Sequence, residues 1–466
     1  MKNGKKQERN SMKFDLTQGS VNKHLIRMAI PMVWGILSII AMNLVDTYFV
    51  GQLGTAQLAA MGFIFPVVMF RNSLAFGIGV GASSVIARAL GSKDTEKVKS
   101  YTTQALILAF SISMLFAIAG YYTIDPLFLK LGADPELLPY IHDYMEIWYF
   151  GCFLVVVPMV GNSAIRAMGN TKFPSYVMMF IAVLNLILDP IFIFGLFGFP
   201  RMELQGAALA TVISYSLSFF LSLYILRHKL HIINLESCFT RVIESWKAIL
   251  HVGVPALGSN LIGPLSVTLT TWLVAKYGAE AVAGYGVASR IEAIYLTLLY
   301  AFSSVTGPLV GQNWGAGRID RVERVVLRGA RISLMWGLFS AVTLWILARP
   351  VIGFFDDNAT VIEAAHLYLI IIPITYSMLG VVMICGSMAN GIGKPKASLL
   401  ITFSRLIVIY LPLAFALSAY LGLKGLYLAT ALSNILVGIG AFIWSRKQCR
   451  TPVENNKNNN CKVMVD

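Results

Sequence analysis

Reading the chain for unbroken apolar stretches between polar breaks gives runs near 25–50, 57–86, 101–122, 140–164, 175–198 and 206–226. A second set follows near 250–275, 282–310, 332–354, 364–388, 398–420 and 425–444. Each is long enough to cross a bilayer as a helix, since a crossing takes about 20 apolar residues. The pattern predicts an all-α polytopic membrane protein with twelve transmembrane helices. A transmembrane β-barrel is excluded, because its strands alternate apolar and polar residues and these runs do not.

The halves repeat. A shift of 224 residues carries Pro31 onto Pro255, Gly54 onto Gly278, Ala59 onto Ala283 and Gly91 onto Gly315. Further on, KFPSYVMM (172–179) faces KPKASLLI (394–401), and GAALATVIS (206–214) faces GLYLATALS (425–433). Six is an even number of crossings, so both halves enter the membrane from the same side. Two six-helix bundles related by a pseudo-two-fold axis along the membrane normal are expected, with the site near the repeat interface as in transporters. The expected divisions are an N-terminal tail (1–24), an N-lobe (25–226), a linker (227–249), a C-lobe (250–445) and a C-terminal tail (446–466), whose Asn- and Lys-rich end reads as disordered.

Composition agrees, with 57% hydrophobic and 13% charged residues. The net charge of +14 would suggest nucleic acid in a soluble protein. Its placement says otherwise: of 37 Lys and Arg, 29 fall on one side of the predicted helices, five on the other, and Arg71, Arg290 and Arg405 lie within runs. Under the positive-inside rule the tails, the linker and the inner loops are cytoplasmic, which places the chain in a plasma (inner) membrane with both termini inside. Cys152, Cys238, Cys385, Cys449 and Cys461 are widely spaced and form no CxxC, so neither a disulfide framework nor a metal cluster is implied. The segment GIGKPK (391–396) has Pro395 where a P-loop needs Ser or Thr, so ATP is not the fuel. No convergent nucleophile set suggests an enzyme.

The candidate chemistry lies in the few acids inside apolar runs, each costing roughly 2.5–3.5 kcal/mol at a helix centre on insertion scales. Asp46, in NLVDTYFVG, and Asp189, in LNLILDPIF, fall about five and nine residues before the outer ends of helices 1 and 5. That is roughly 7 and 13 Å deep. Thr211 on helix 6 and Tyr144 on helix 4 reach a similar depth, and Asn185 shares the helix face of Asp189. Two ionisable groups meeting there can take up and release a coupling ion. Proton and sodium both remain open, because carboxylate, amide and hydroxyl oxygens also suit a hard cation. The alternative is polar glue, with the aspartates bonded to Asn43, Asn185 or Thr47. Pro31 and Pro190 mark places where helices 1 and 5 can bend. Glu292 reads as an ion pair with Arg290 or a packing contact, and Arg71 and Arg405 as snorkelling or paired.

These segments resemble the multidrug and toxic compound extrusion (MATE) family, in its prokaryotic DinF-like branch. The carriers are VDTYFVGQLG (45–54), ALGSKDTEKV (89–98), RAMGNTKFP (166–174), LNLILDPIF (184–192) and GAALATVIS (206–214), echoed by GQNWGAGRIDRVER (311–324) and NGIGKPKAS (390–398). The resemblance implies a V-shaped antiporter that exports amphipathic or cationic compounds against H+ or Na+. It implies ion coupling at Asp46, Asn185, Asp189 and Thr211, a substrate cavity in the N-lobe that adds Tyr144, and bending of helix 1 near Pro31. Some members carry acids on helices 7 and 10. This chain has none in 250–275 or 364–388, and Thr270 stands opposite Asp46 in the repeat. No cofactor or nucleic acid is expected, the working unit reads as a monomer in lipid, and the rival reading is a flippase of lipids or lipid-linked precursors.

Overall fold

The structure is a computed structural model and describes residues 15–234 and 241–462, the last twelve of these as backbone alone. Fifteen helices account for nearly all of it, with no strand among the described residues. In the first half they are α1 (Val21–Gly51), α2 (Thr55–Gly91), α3 (Thr95–Tyr122), α4 (Ile124–Lys130), α5 (Leu138–Phe150), α6 (Cys152–Ala167), α7 (Lys172–Phe194) and α8 (Glu203–Tyr224). The second half has α9 (Val242–Ala275), α10 (Ala279–Gly315), α11 (Ile319–Ile352), α12 (Ala359–Ile371), α13 (Tyr376–Gly391), α14 (Pro395–Phe403) and α15 (Leu411–Lys462). The last helix continues to Lys462, so the backbone of the tail expected to be disordered is helical that far.

Ten segments are long and apolar enough to span a membrane, and α5 with α6, bent by 50°, makes an eleventh. The final segment divides at Gly422, whose φ of 60° and ψ of −141° lie outside any helix. Among the described residues this gives the twelve crossings expected from hydropathy. The bend between α5 and α6 falls at Gly151, where a Cβ would stand 2.3 Å from Val212 Cγ2, so only glycine lets α8 approach there.

The duplication is visible in the backbone. Left-handed residues recur 224 positions apart: Gly54 with Gly278, Lys93 with Gly317, Gly169 with Gly393, and Gly198 with Gly422. Each reverses the chain between helices, where a left-handed residue terminates the helical hydrogen bonding. Three of the four pairs are Gly–Gly, because only glycine takes that conformation without a Cβ penalty.

Two compact units emerge. One comprises the chain up to Ala29, Ala87–Lys93 and the chain from Gly258 onward. The other comprises Ile30–Ile86 and Asp94–Leu257. Chain membership thus departs from a simple division between the sequence halves, since α1, α2 and α9 each contribute to both units. In the first unit, α13 packs on α10, α11 and α15 around a core that includes Tyr285, Leu299, Leu344, Tyr368, Tyr376 and Tyr427. In the second, α8 packs on α5, α6 and α7. At the α7–α8 contact, a Cβ on Gly206 would lie 2.6 Å from the Phe192 carbonyl, so the two backbones run nearly in touch.

Candidate functional site

The site predicted in the first half draws on four helices of the second unit. Met42 of α1 packs with Val177, Ile181 and Ala182 of α7, flanked by Ile39, Phe173 and Tyr215. Gly35 brings α1 close: a Cβ there would be 3.2 Å from Ser175 Cα. The Met42 contact lies four residues, one helical turn, before Asp46, and Ala182 and Asn185 take the next positions along α7 towards Asp189. An apolar floor thus fixes the spacing of the two acid-bearing helices.

Asn185 Nδ2 donates to Asp189 Oδ1 at 3.0 Å and lies 3.5 Å from Thr211 Oγ1 on α8. Asp189 is only 1% exposed, and its Oδ2 is buried without a partner. Oδ1 of Asp46 is likewise buried and unpartnered. The two carboxylates are close enough that the charge of Asp46 acts on Asp189. Tyr144, buried on α5, feels Asp46, Asp189 and Arg71 together. The five residues singled out from sequence therefore occupy one neighbourhood.

The glue reading fares differently for the two acids. Asp189 is held by Asn185, but Thr47 spends its hydroxyl on the Asn43 carbonyl at 2.8 Å, and Asp46 gains nothing from either. Pro31 and Pro190 both lie inside continuous helices, α1 and α7.

Arg71 neither snorkels nor pairs among the described residues: it is 4% exposed, its guanidinium carbon sits 4.5 Å over the Trp148 ring, and its Nε and Nη1 have no hydrogen-bond partner there. The only advance signal was an arginine deep inside an apolar run. For Glu292 in the first unit the packing contact holds rather than an ion pair with Arg290. Arg290 is exposed, and Glu292 Oε2 instead accepts from the Tyr368 hydroxyl at 2.7 Å, with Arg405 in electrostatic reach. Arg405 in turn donates to Asn434 Oδ1 at 3.1 Å, and Asn434 Nδ2 to Thr375 Oγ1 at 3.0 Å. Thr270, opposite Asp46 in the repeat, bonds the Tyr410 hydroxyl at 2.8 Å.

Buried, underbonded carboxylate oxygens on two helices suit reversible capture of a small cation. Comparison with known proteins fits a transporter. A sequence model of the MatE family matches residues 31–191 and 255–416, stretches that begin 224 residues apart like the internal repeat. The chain is 36% identical over 436 residues to a protein of Shewanella oneidensis named FAD transporter, covering 93% of this chain and 96% of that one. It is 27% identical over 420 residues to the probable multidrug resistance protein YoeA of Bacillus subtilis, covering 87% and 90%. Among solved structures it is similar to the Vibrio cholerae MATE transporter VcmN in its bent form, with a TM-score of 0.88 and 31% identity over 92% of this chain and 97% of that one.

Proposed function

We propose that this chain, which belongs to the MatE family of membrane transporters, is a secondary active efflux antiporter in which Asp46 and Asp189 exchange a coupling cation for substrate. The carrying observation is the pair of carboxylates on α1 and α7, each with a buried oxygen that has no hydrogen-bond partner among the described residues. A transporter rather than an enzyme is what family membership means here, in keeping with a chain of membrane-spanning helices. The coupling ion is H+ or Na+. One elementary charge moving across 100 mV releases about 2.3 kcal/mol, enough to drive substantial accumulation.

In this reading Asn185 orients Asp189, Thr211 offers a further oxygen, and Tyr144 lines the cavity beside the acids. Pro31 and Pro190 are the points at which α1 and α7 bend when the acids change state. Both termini face the cytoplasm, from the crowding of Lys and Arg on that side. The protein works as a monomer in the plasma membrane, within the DinF-like branch. Substrates are amphipathic or cationic small molecules; export of drugs is in keeping with the name of the Bacillus subtilis relative, a probable multidrug resistance protein. A second reading, export of a flavin dinucleotide, is favoured by the 36% identity to the FAD transporter over nearly the whole chain.

The deciding experiment uses vesicles with a proton or a sodium gradient imposed separately, and compares the wild type with Asp46→Asn and Asp189→Asn. One gradient should drive dye movement in the wild type, and either substitution should abolish it at unchanged protein level. Full transport by the double amide variant would defeat the assignment.

A further inference from the structure

Within the second unit, the groups whose charges reach Arg71 are Cys152, Tyr215 and Tyr144. All three are ordinarily neutral. No carboxylate forms a salt bridge with Arg71 among the described residues. The face of the guanidinium is taken by Trp148, which Phe116 holds edge-on at 6.4 Å. A cation–π contact of this kind stabilises a buried cation by about 2 kcal/mol. Leaving an ionic donor buried without an acceptor costs several kcal/mol, so the ring alone does not account for the placement. What the residue lacks is an acceptor, and an anionic one offsets most of that cost.

We propose that Arg71, seated on Trp148, is the docking point for an anionic group of an exported substrate, such as a phosphate on an aromatic compound. The inference rests on the efflux reading and gives its substrate a chemical class. Asp46 and Asp189 do not fill this role themselves, because neither forms an ion pair with Arg71 among the described residues. Tyr144 is in electrostatic reach of both the guanidinium and the acids. A substrate seated here would place its negative group at Arg71 and any cationic or neutral polar part towards the acids. Nε and Nη1 are covered in this conformation, so the anion reaches them only as the bundle opens.

The test reconstitutes the full chain in liposomes as wild type, Arg71→Gln and Arg71→Lys. Transport of FAD, which carries a pyrophosphate, is compared with that of ethidium, which is aromatic but cationic, and FAD binding is followed by flavin fluorescence. The ratio of FAD to ethidium transport should fall at least tenfold in Arg71→Gln and to an intermediate extent in Arg71→Lys. Weaker FAD binding should accompany both changes. An unchanged ratio in Arg71→Gln, or a wild type that moves ethidium but not FAD, overturns the proposal and leaves the efflux reading standing. A wild type that moves neither overturns both. Loss of FAD binding in Arg71→Gln but not in Arg71→Lys, in protein that elutes as a single species, would support the docking role even where ethidium transport is also reduced.

Discussion

Asn185 and Asp189 lie one turn apart on α7, and the amide of the first holds one oxygen of the second at 3.0 Å while the other oxygen stays free. The arrangement fixes the carboxylate without satisfying it. An acid bonded at both oxygens would have neither left for a ligand. With one oxygen of Asp189 anchored, the other has a defined position, from which the proposed exchange would take its cation.

Replacing Asn185 by Ala removes that anchor and leaves a buried acceptor unpaired, a loss of about 1–3 kcal/mol. Transport by Asn185→Ala should fall roughly tenfold with protein level unchanged, each tenfold corresponding to about 1.4 kcal/mol. Dye efflux from cells with matched expression measures it. Wild-type rates would show that the hydrogen bond is incidental.

Gly91 and Gly315, equivalent positions in the repeat, make reciprocal contacts in the first unit. A Cβ on Gly91 would stand 2.0 Å from the Gln312 carbonyl oxygen, and one on Gly315 would stand 2.1 Å from that of Arg88. Backbone cannot yield as a side chain does. Gly91→Ala and Gly315→Ala should each destabilise by about 1–3 kcal/mol, the usual range for overpacking. The check is a thermal unfolding scan in detergent, in which both variants melt several degrees below the wild type and Gly62→Ala, with open space at its Cβ, does not.

Arg321 ties down the segment ahead of α1. It donates to the carbonyls of Leu16, Gln18 and Gly19 at 3.1, 3.2 and 2.8 Å, and its Nε to Asn313 Oδ1 at 2.8 Å. Asn313 also bonds the Leu16 carbonyl, at 3.2 Å. Arg321→Met removes all of these donated bonds at once and leaves the Gln18 and Gly19 carbonyls without their side-chain donor, so amide exchange across 16–24 should accelerate by at least tenfold while that of α13 stays as in the wild type. Hydrogen exchange with mass spectrometry reads both regions at once.

Asp94 caps α3 by accepting from the Lys97 amide at 3.0 Å. That bond, with the Lys97 ammonium, holds its carboxyl below the ordinary value of 3.8. A depressed folded-state value means the cap contributes its full stabilisation above the unfolded value, near pH 4, and loses it as pH falls through the lower folded value. The difference in melting temperature between wild type and Asp94→Ala should therefore be constant at neutral pH and narrow below about pH 4. A difference that persists unchanged to pH 2 would contradict a charge-dependent cap.

Crossing number and internal repeat were legible along the chain because both are one-dimensional. Hydropathy integrates over a helix, and duplicated turns keep their glycines, as Gly54 with Gly278 and Gly169 with Gly393 show. The acids stood out for the same reason: an ionisable residue in an apolar run is visible without knowing what surrounds it. What surrounds it is a different matter. Whether Glu292 meets Arg290 two residues away or Tyr368 from another helix depends on how α10 is rotated against its neighbours, and the structure chose Tyr368. Arg71 could have snorkelled along its own helix; the packing of α5 put Trp148 beneath it instead. Contacts within one helix follow from spacing, whereas partners on other helices follow from close packing of whole faces, which local sequence does not encode.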